Sequence, residues 1–191
     1  MRKTLLAVAI LATLGCGTPP EKSVAAGTEY AEAEEAYRKG DYARVVTLTS
    51  AIVGERPEMA KPFFLRAKAY QAQGEWERAE ADFTKAIETA PDRTRTIYLF
   101  WRGLYFSDRE LHEKALFDLN RARELQLRFP SPRYYLEIHR ATATARIALG
   151  QFGAAREGCD FILAKDPDER TRREFEALKL EAIRGMRDAA R

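Results

Sequence analysis

The sequence predicts an all-α protein built from repeated helical hairpins, and three observations lead to this prediction. From Thr28 onward nearly every stretch is rich in helix-forming residues, with breaks at Gly or Pro every 15 to 20 residues. No segment alternates apolar and polar residues for long enough to indicate a β-strand. The breaks recur at a fixed spacing, which indicates a solenoid in which each hairpin packs on the next.

The first sixteen residues have the pattern of an export signal. Two basic residues, Arg2 and Lys3, precede an apolar run that ends at Gly15-Cys16. A charged start, an apolar stretch of about ten residues and a small residue at its end are typical of a secretory signal peptide. The run is shorter than the roughly 20 residues that a membrane-spanning helix needs. We therefore predict that residues 1–15 are removed from an exported chain.

The end of this signal resembles that of bacterial lipoproteins, although Thr13 stands where that family usually has Leu. The resemblance implies that Cys16 becomes the mature N-terminus and carries lipid chains, palmitate among them, which anchor the protein in a membrane. Gly17 rather than Asp follows this cysteine, which favours the periplasmic face of the outer membrane. The alternative is ordinary secretory cleavage close by, with Cys16 an incidental thiol.

Removal of the signal changes the charge of the chain. The full sequence has 32 basic and 29 acidic side chains, and the signal contains two of the basic ones. The formal net charge therefore falls from +3 to +1, which argues against a general polyanion binder, and export argues against a nucleic-acid partner. Residues 16–26 are small, polar and interrupted by proline, so they are predicted to tether the lipid to a folded domain over 27–191.

The helical breaks share one spacing. Three glycines are each followed two residues later by an aromatic side chain and seventeen residues later by a proline. A glycine that ends one helix and a proline that does not continue the next delimit a helical hairpin. These triplets are Gly40, Tyr42 and Pro57; Gly74, Trp76 and Pro91; and Gly150, Phe152 and Pro167. The spacing predicts hairpins over about 27–58, 60–93, 96–129 and 132–167.

A last amphipathic helix is predicted over residues 169–189. Phe175, Leu178, Ala182 and Met186 fall on one stripe of this helix, and charged residues occupy the rest. We expect the stripe to cover the exposed end of the stack. The alternative is that this helix forms half of a partner-binding groove.

Residues 60–93 contain the most complete repeat. Its small residues let paired helices approach closely, and its aromatic residues fill the gaps between them. In chain order these residues are Phe63, Ala67, Tyr70, Gly74, Trp76, Ala79, Phe83, Ala86 and Pro91. The pattern resembles the tetratricopeptide repeat, and less complete copies precede and follow it. The resemblance implies an α-solenoid of tetratricopeptide hairpins that recognises other proteins.

The sequence contains no recognisable catalytic or metal-binding motif. The patterns of zinc proteases, paired-cysteine sites, serine hydrolases and phosphate-binding loops are all absent from it. His112 falls at a turn-packing position and His139 on the inner face of a helix, so both are predicted to be structural. Cys159 stands where the repeat has a buried side chain. We expect no enzyme activity, cofactor, metal or small-molecule substrate.

The predicted binding surface is the concave wall of the solenoid, which the first helix of each hairpin forms. The resemblance places eleven residues on this wall, namely Lys61, Phe64, Lys68, Gln71, Ile97, Phe100, Trp101, Leu104, Glu137, Arg140 and Thr144. The apolar stripe from Ile97 to Leu104 either exposes aromatic anchors to a partner or is packed by neighbouring helices. Phe64 and Phe100 stand where carboxylate-clamping members of the family need polar groups, so an apolar peptide or helix is the expected occupant.

The expected function is that of a membrane-anchored scaffold for protein–protein interactions in a bacterial cell-envelope assembly. Similar lipoproteins act as pilotins, in barrel assembly or in cell-wall synthesis. The net charge is −4 over residues 16–92 and +5 over residues 93–191, a polarity that orients a partner more than it strengthens binding. Two alternatives stay open: a peptidoglycan- or polysaccharide-binding envelope protein, and an accessory subunit of an envelope enzyme.

Overall fold

The computed structural model describes residues 20–191, which form nine α-helices and no β-strand. The helices are α1 (Pro20–Arg38), α2 (Tyr42–Glu55), α3 (Ala60–Ala72), α4 (Trp76–Thr89), α5 (Asp92–Asp108), α6 (His112–Arg128), α7 (Tyr135–Ala148), α8 (Phe152–Leu163) and α9 (Glu169–Ala189). Each helix packs mainly on its neighbours in sequence, so α1 to α8 form four stacked hairpins and α9 lies against α8 and α7. The predicted all-α solenoid is confirmed.

The chain differs from the sequence-based expectation at its beginning. The predicted signal peptide and Cys16 lie outside the described residues. Helix α1 begins at Pro20, so residues 20–26 are helical although they were predicted as part of the tether. Proline is favoured in the first helical turn because the N–H that it lacks has no helical partner there. None of the described helices is both long enough and apolar enough to cross a membrane.

Left-handed residues make the turns inside the hairpins. Gly40, Gly74 and Gly150 have φ angles of 77°, 76° and 70°, in the region that glycine enters without steric cost. In the third hairpin Glu110 takes the same place with φ 57°. A non-glycine residue pays more strain in this conformation, but the turn keeps the geometry of the other hairpins. The repeat therefore continues through a segment that lacks its glycine.

Close helix approach and aromatic filling build the core of the middle hairpins. Ala67, Ala79 and Ala115 are fully buried beside Phe83. At Gly103, an added Cβ would lie 2.9 Å from the Cγ of a leucine on α6. Helices α5 and α6 thus touch at a point where no side chain fits.

Two partly buried arginine side chains tie successive hairpins together. Arg102 on α5 donates two hydrogen bonds to the carboxylate of Asp118 on α6, at 2.7 and 2.9 Å, and a third to Thr84 Oγ1 on α4 at 2.8 Å. The same arrangement joins Arg66 to Asp82, at 2.6 and 2.8 Å, and to Ser50 Oγ at 3.0 Å. We call these two sets arginine bridges. Each one links both helices of its own hairpin to the second helix of the hairpin before.

Helix α9 closes the C-terminal end of the stack. Phe175 and Ala182 are buried against α7 and α8, as the predicted stripe requires. Met186 is 40% exposed, so its place on the buried stripe was wrong. The ring of Phe152, the first residue of α8, lies against Gly185, where an added Cβ would overlap it. The stripe ends there because α8 offers Met186 no further residue to pack on.

Loss of an arginine bridge should destabilise the fold strongly. The Asp118 side chain is only 1% exposed, so Arg102→Met leaves a buried carboxylate without its partner. We expect the free energy of unfolding to fall by about 3–5 kcal/mol in urea denaturation.

The control is Lys85→Met, which removes an exposed ion pair with Glu88 on α4. Exposed pairs contribute about 0.2–1 kcal/mol, so this variant should unfold close to the wild type. Equal losses for the two variants would contradict the role given to the bridge.

Candidate functional site

The side chain of Lys68 lies among aromatic rings from three successive hairpins. Its Nζ atom is 4.5 Å from the ring centre of Tyr37 on α1 and 4.7 Å from that of Trp101 on α5. The ring of Phe64, on its own helix α3, is 5.7 Å away. Cation–π attraction of this kind is worth more when the site is partly shielded from water. We call the face formed by these four residues, with Ile97 and Leu104, the Lys68 groove.

The charge of Lys68 is not balanced by an acid. Within the described part of the chain it forms no ion pair, and half-burial of the side chain lowers the pKa of its ammonium group. A half-buried cation without a counter-charge attracts a carboxylate from outside the molecule. Because the surrounding surface is aromatic, a ligand that places an acidic group beside an apolar one fits this face best.

The residues of the predicted stripe on α5 lie partly in the groove and partly in the core. Phe100 is only 5% exposed, and the ring of Tyr134 covers it at 5.5 Å between ring centres. Phe100 is therefore part of the core, which is the second of the two alternatives for this stripe. Trp101 is partly buried and contacts the rings of Phe64 and Phe100 at 6.0 and 5.8 Å. Its remaining surface borders Lys68. Ile97 and Leu104 are also partly exposed.

The predicted residues on α7 do not join the Lys68 groove. Glu137 and Arg140 line a cleft between α7 and α9, and Arg140 Nη1 lies 3.3 Å from Glu174 Oε2 on α9. Thr144 is exposed and donates its hydroxyl to the carbonyl of Arg140. Glu137 and Arg140 therefore lie beside the capping helix, apart from the residues that surround Lys68.

The predicted residues at the ends of α3 border the groove. Lys61 is exposed at the start of α3. Gln71 donates from Nε2 to Asp108 Oδ2 at 3.1 Å, which ties the end of α3 to the end of α5. These contacts leave Lys68 as the only one of the predicted cations that lies among aromatic rings, within the described residues.

Tyr37 is the groove residue that sequence reasoning missed. It stands three residues before Gly40, as Gln71 stands three residues before Gly74. Counting backward from the turn glycine would have placed Tyr37 on the binding face, because the left-handed turn fixes the register of the helix that precedes it.

His139 lies in a stack of aromatic rings. His139 is 9% exposed and packs between the rings of Tyr135 and Phe161, with ring centres 4.8 and 5.6 Å away. Burial, and then the charges of Arg123, Lys165 and Arg146, lower the pKa of His139 to about 4. It is therefore neutral at pH 7. No group of three or more His, Cys, Asp or Glu side chains that could hold a metal ion occurs among residues that the structure describes.

Comparisons with known proteins agree with this geometry. Residues 60–93 match the family model of the tetratricopeptide repeat. A crystal structure of MamA superposes with a TM-score of 0.63 at 16% sequence identity, over 86% of this chain and 89% of MamA. The fold is a tetratricopeptide solenoid. A MamA RS-1 ArsTM double mutant superposes with a TM-score of 0.59 at 14% identity, over 84% of this chain and 96% of that one.

The tetratricopeptide assignment extends from one repeat to the whole stack through the structure. The family model covers only the second hairpin, whereas the superposition with MamA covers most of the described helices. At this identity the likeness shows the fold alone. A search of curated protein sequences found no significant match.

The buried histidine should make stability depend on pH. Unfolded His139 titrates near 6.5, whereas the native side chain stays neutral down to about pH 4. Between these values the unfolded chain binds the extra proton, so the free energy of unfolding falls as the pH is lowered from 6.5 to 4.

His139→Phe should flatten this part of the curve. The second hairpin has Phe63 at the same position, so the ring fits the stack without a titrating group. The measurement is urea denaturation at pH 6.5, 5.5 and 4.5 for both proteins. Parallel curves for the variant and the wild type would show that His139 does not contribute.

Proposed function

We propose that this protein is a tetratricopeptide scaffold that binds a protein partner through the Lys68 groove and acts by binding, not by catalysis. The observation that carries the proposal is the half-buried, unbalanced charge of Lys68 among the rings of Tyr37, Phe64 and Trp101. Aromatic side chains that keep some exposed surface are typical anchors of protein interfaces. A cation held by three helices of the stack gives such an interface a fixed polar contact.

The partner segment proposed for this groove combines apolar side chains with one acidic group. An apolar contact with Trp101, Ile97 and Leu104 would remove their remaining surface from water. A carboxylate within hydrogen-bond distance of Lys68 would neutralise its charge and reverse the lowering of its pKa. A short helix or extended peptide supplies both groups within one or two turns.

We further propose that this binding occurs in a bacterial cell envelope, on a chain anchored by lipid at Cys16. The support is the sequence pattern alone: a charged start, an apolar run and the cysteine at its end. Anchoring would hold the groove close to the membrane and confine its partners to envelope proteins, such as those of secretin, barrel or cell-wall assembly.

The groove proposal is tested with Lys68→Met. Methionine keeps an unbranched apolar stem among the rings but carries no charge. A photo-crosslinking amino acid at position 104, on the groove side of α5, should form a protein adduct in envelope preparations. We expect Lys68→Met to reduce that adduct about tenfold or more, which corresponds to about 1.4 kcal/mol of binding free energy. Its thermal melt should stay at or above that of the wild type, because the half-buried charge is gone.

Two controls separate the groove from the rest of the surface. Lys85→Met removes an exposed charge from α4, outside the groove, and should leave the adduct unchanged. The same crosslinker at position 117, a 61% exposed site on α6, should give no adduct that depends on Lys68. An adduct that survives Lys68→Met would sink the groove proposal. Adducts to glycan strands alone would favour the polysaccharide-binding alternative.

The lipid anchor is tested with Cys16→Ser. Stable membrane attachment needs two or more acyl chains, and serine cannot accept the thioether-linked pair. We expect the variant to leave the membrane fraction, whereas Cys159→Ala, which alters the buried cysteine of α8, should remain in it. Continued sedimentation of Cys16→Ser with membranes would argue against lipidation.

A further inference from the structure

We propose that a cavity between α6, α7 and α8 is a binding site for a small organic anion with a flat apolar ring, such as an aromatic carboxylate. The cavity has a volume of about 480 Å³, within the ordinary size range of small-molecule sites. Its apolar walls come from Leu127 on α6, Tyr135 on α7 and Phe161 on α8. Arg123, Arg146 and Glu157 contribute its charged groups, with Lys165 against the far side of the Phe161 ring at 4.7 Å.

This site lies on the other side of α7 from the predicted inner wall. His139 and Arg146, which line the cavity, are each two residues beyond Glu137 and Thr144. Two residues correspond to a rotation of about 200° around a helix, so the two sets face opposite directions. The cavity is therefore separate from the Lys68 groove and from the cleft beneath α9.

The fourth hairpin lacks the arginine bridge that the second and third hairpins contain. In the second and third hairpins, the bridge arginine stands eight residues before the turn residue. The bridge aspartate stands eight residues after it. The fourth hairpin has Thr142 and Gly158 at these two positions. Both replacements are small, so the space that a guanidinium–carboxylate pair occupies elsewhere is left open. Asn120 stands where Thr84 accepts from the arginine, and its buried Oδ1 has no hydrogen-bond partner in the described part of the chain.

The same hairpin adds positive charge where the others have aromatic rings. Four residues before the turn residue, the second hairpin has Tyr70 and the third has Phe106. The fourth hairpin has Arg146 at this position. Its Nη1 atom donates to the carbonyl of Ala154 at 3.0 Å and would lie 3.7 Å from a Cβ at position 158. The arginine therefore runs across Gly158 into the cavity.

The cationic side chains at this cavity are not neutralised within the protein. In the described part of the chain, Arg123, Arg146 and Lys165 form no ion pair. Burial, and then the charge of Arg123, lower the pKa of Arg146, and only the exposed Glu157 opposes this effect. An anion held between the two guanidinium groups would relieve their repulsion and could accept two-pronged hydrogen bonds.

In the corresponding cleft of the third hairpin, the cationic side chains are paired with carboxylates. Its lining includes Arg102, Asp118 and Lys114. Arg102 is bound to Asp118, and Lys114 to Glu80 at 3.0 Å. Its cations already have carboxylate partners, so the fourth hairpin alone offers an aromatic-walled cavity whose arginines lack them, among the described hairpins.

A flat ring fits the cavity because its wall is already a stack of rings. Phe161 is 52% exposed and lies almost parallel to the His139 ring, at an angle of 29°. The neutral imidazole does not repel an anion or compete for it, and it supplies a flat surface. A ligand ring lying against the edge of this stack would cover exposed apolar area of Phe161 and Leu127. A small molecule of one or two rings matches the volume of this cleft between three helices.

The test compares 2-naphthoate with 2-naphthamide, which has the same shape without the charge. Titration of the full-length chain, followed by NMR of its aromatic side chains and by calorimetry, should give saturable binding of one naphthoate with shifts at His139 and Phe161. Naphthamide should bind at least tenfold more weakly. Equal binding of the two compounds, or no binding of naphthoate at 2 mM, would overturn the proposal.

The decisive variant is Gly158→Asp, with Gly158→Asn as its matched control. A Cβ at this position meets Arg146 at an ordinary contact distance, so both side chains are accommodated. Aspartate restores the missing carboxylate beside the arginines and should reduce naphthoate affinity about tenfold or more. Asparagine, equal in size but neutral, should keep the affinity within about threefold of the wild type. Equal losses in the two variants, with unchanged melts, would mean that shape and not charge controls the site.

Discussion

The two arginine bridges are the interaction on which the regular part of this solenoid depends. Arg66 and Arg102 each bind a buried aspartate of their own hairpin and a hydroxyl of the hairpin before. Apolar contacts between alanines and rings tolerate some sliding of one helix along another, whereas a two-pronged ion pair is satisfied in one register only. A buried ion pair adds little net stability over an apolar replacement, but a mispaired one is costly, so the bridges mainly select the correct stacking.

The sequence predicted the spacing of the hairpins well, but it predicted the burial of individual side chains less well. Fixed spacing of glycine, aromatic and proline residues located the hairpins, because a left-handed turn and a helix-breaking ring act locally. It could not say that Phe100 is covered, since the ring that covers it belongs to Tyr134, which directly precedes α7. Likewise Met186 continues the stripe of α9 in sequence. The first residue of α8 lies beside Gly185, however, so α8 does not extend as far as Met186. Burial depends on where the neighbouring helix starts, and a single-helix pattern does not contain that information.

Departures from the repeat proved more informative than its matches. At Glu110 the turn conformation persists without glycine, so the change costs strain but leaves the fold intact. In the fourth hairpin, Thr142, Arg146 and Gly158 all depart from the repeat, and Arg146 and Gly158 line the cavity. If single contacts had been lost independently of one another, the residues that depart from the repeat would be spread over the whole stack. Their concentration around one cavity is what a binding site requires, because emptied space and unneutralised charge must coincide there.

A solenoid tolerates the absence of the arginine bridge from one hairpin because each hairpin contacts only its neighbours. In the fourth hairpin, α9 supplies contacts that the inner hairpins lack. Phe175 and Ala182 are buried against this hairpin, and Lys179 Nζ lies 2.6 Å from Asp160 Oδ1 on α8. The capping helix thus stabilises α7 and α8 from one side while the cavity opens on the other. A cavity of the same kind between two inner hairpins would weaken the stack on both of its faces, so the end of the solenoid is the place where it costs least.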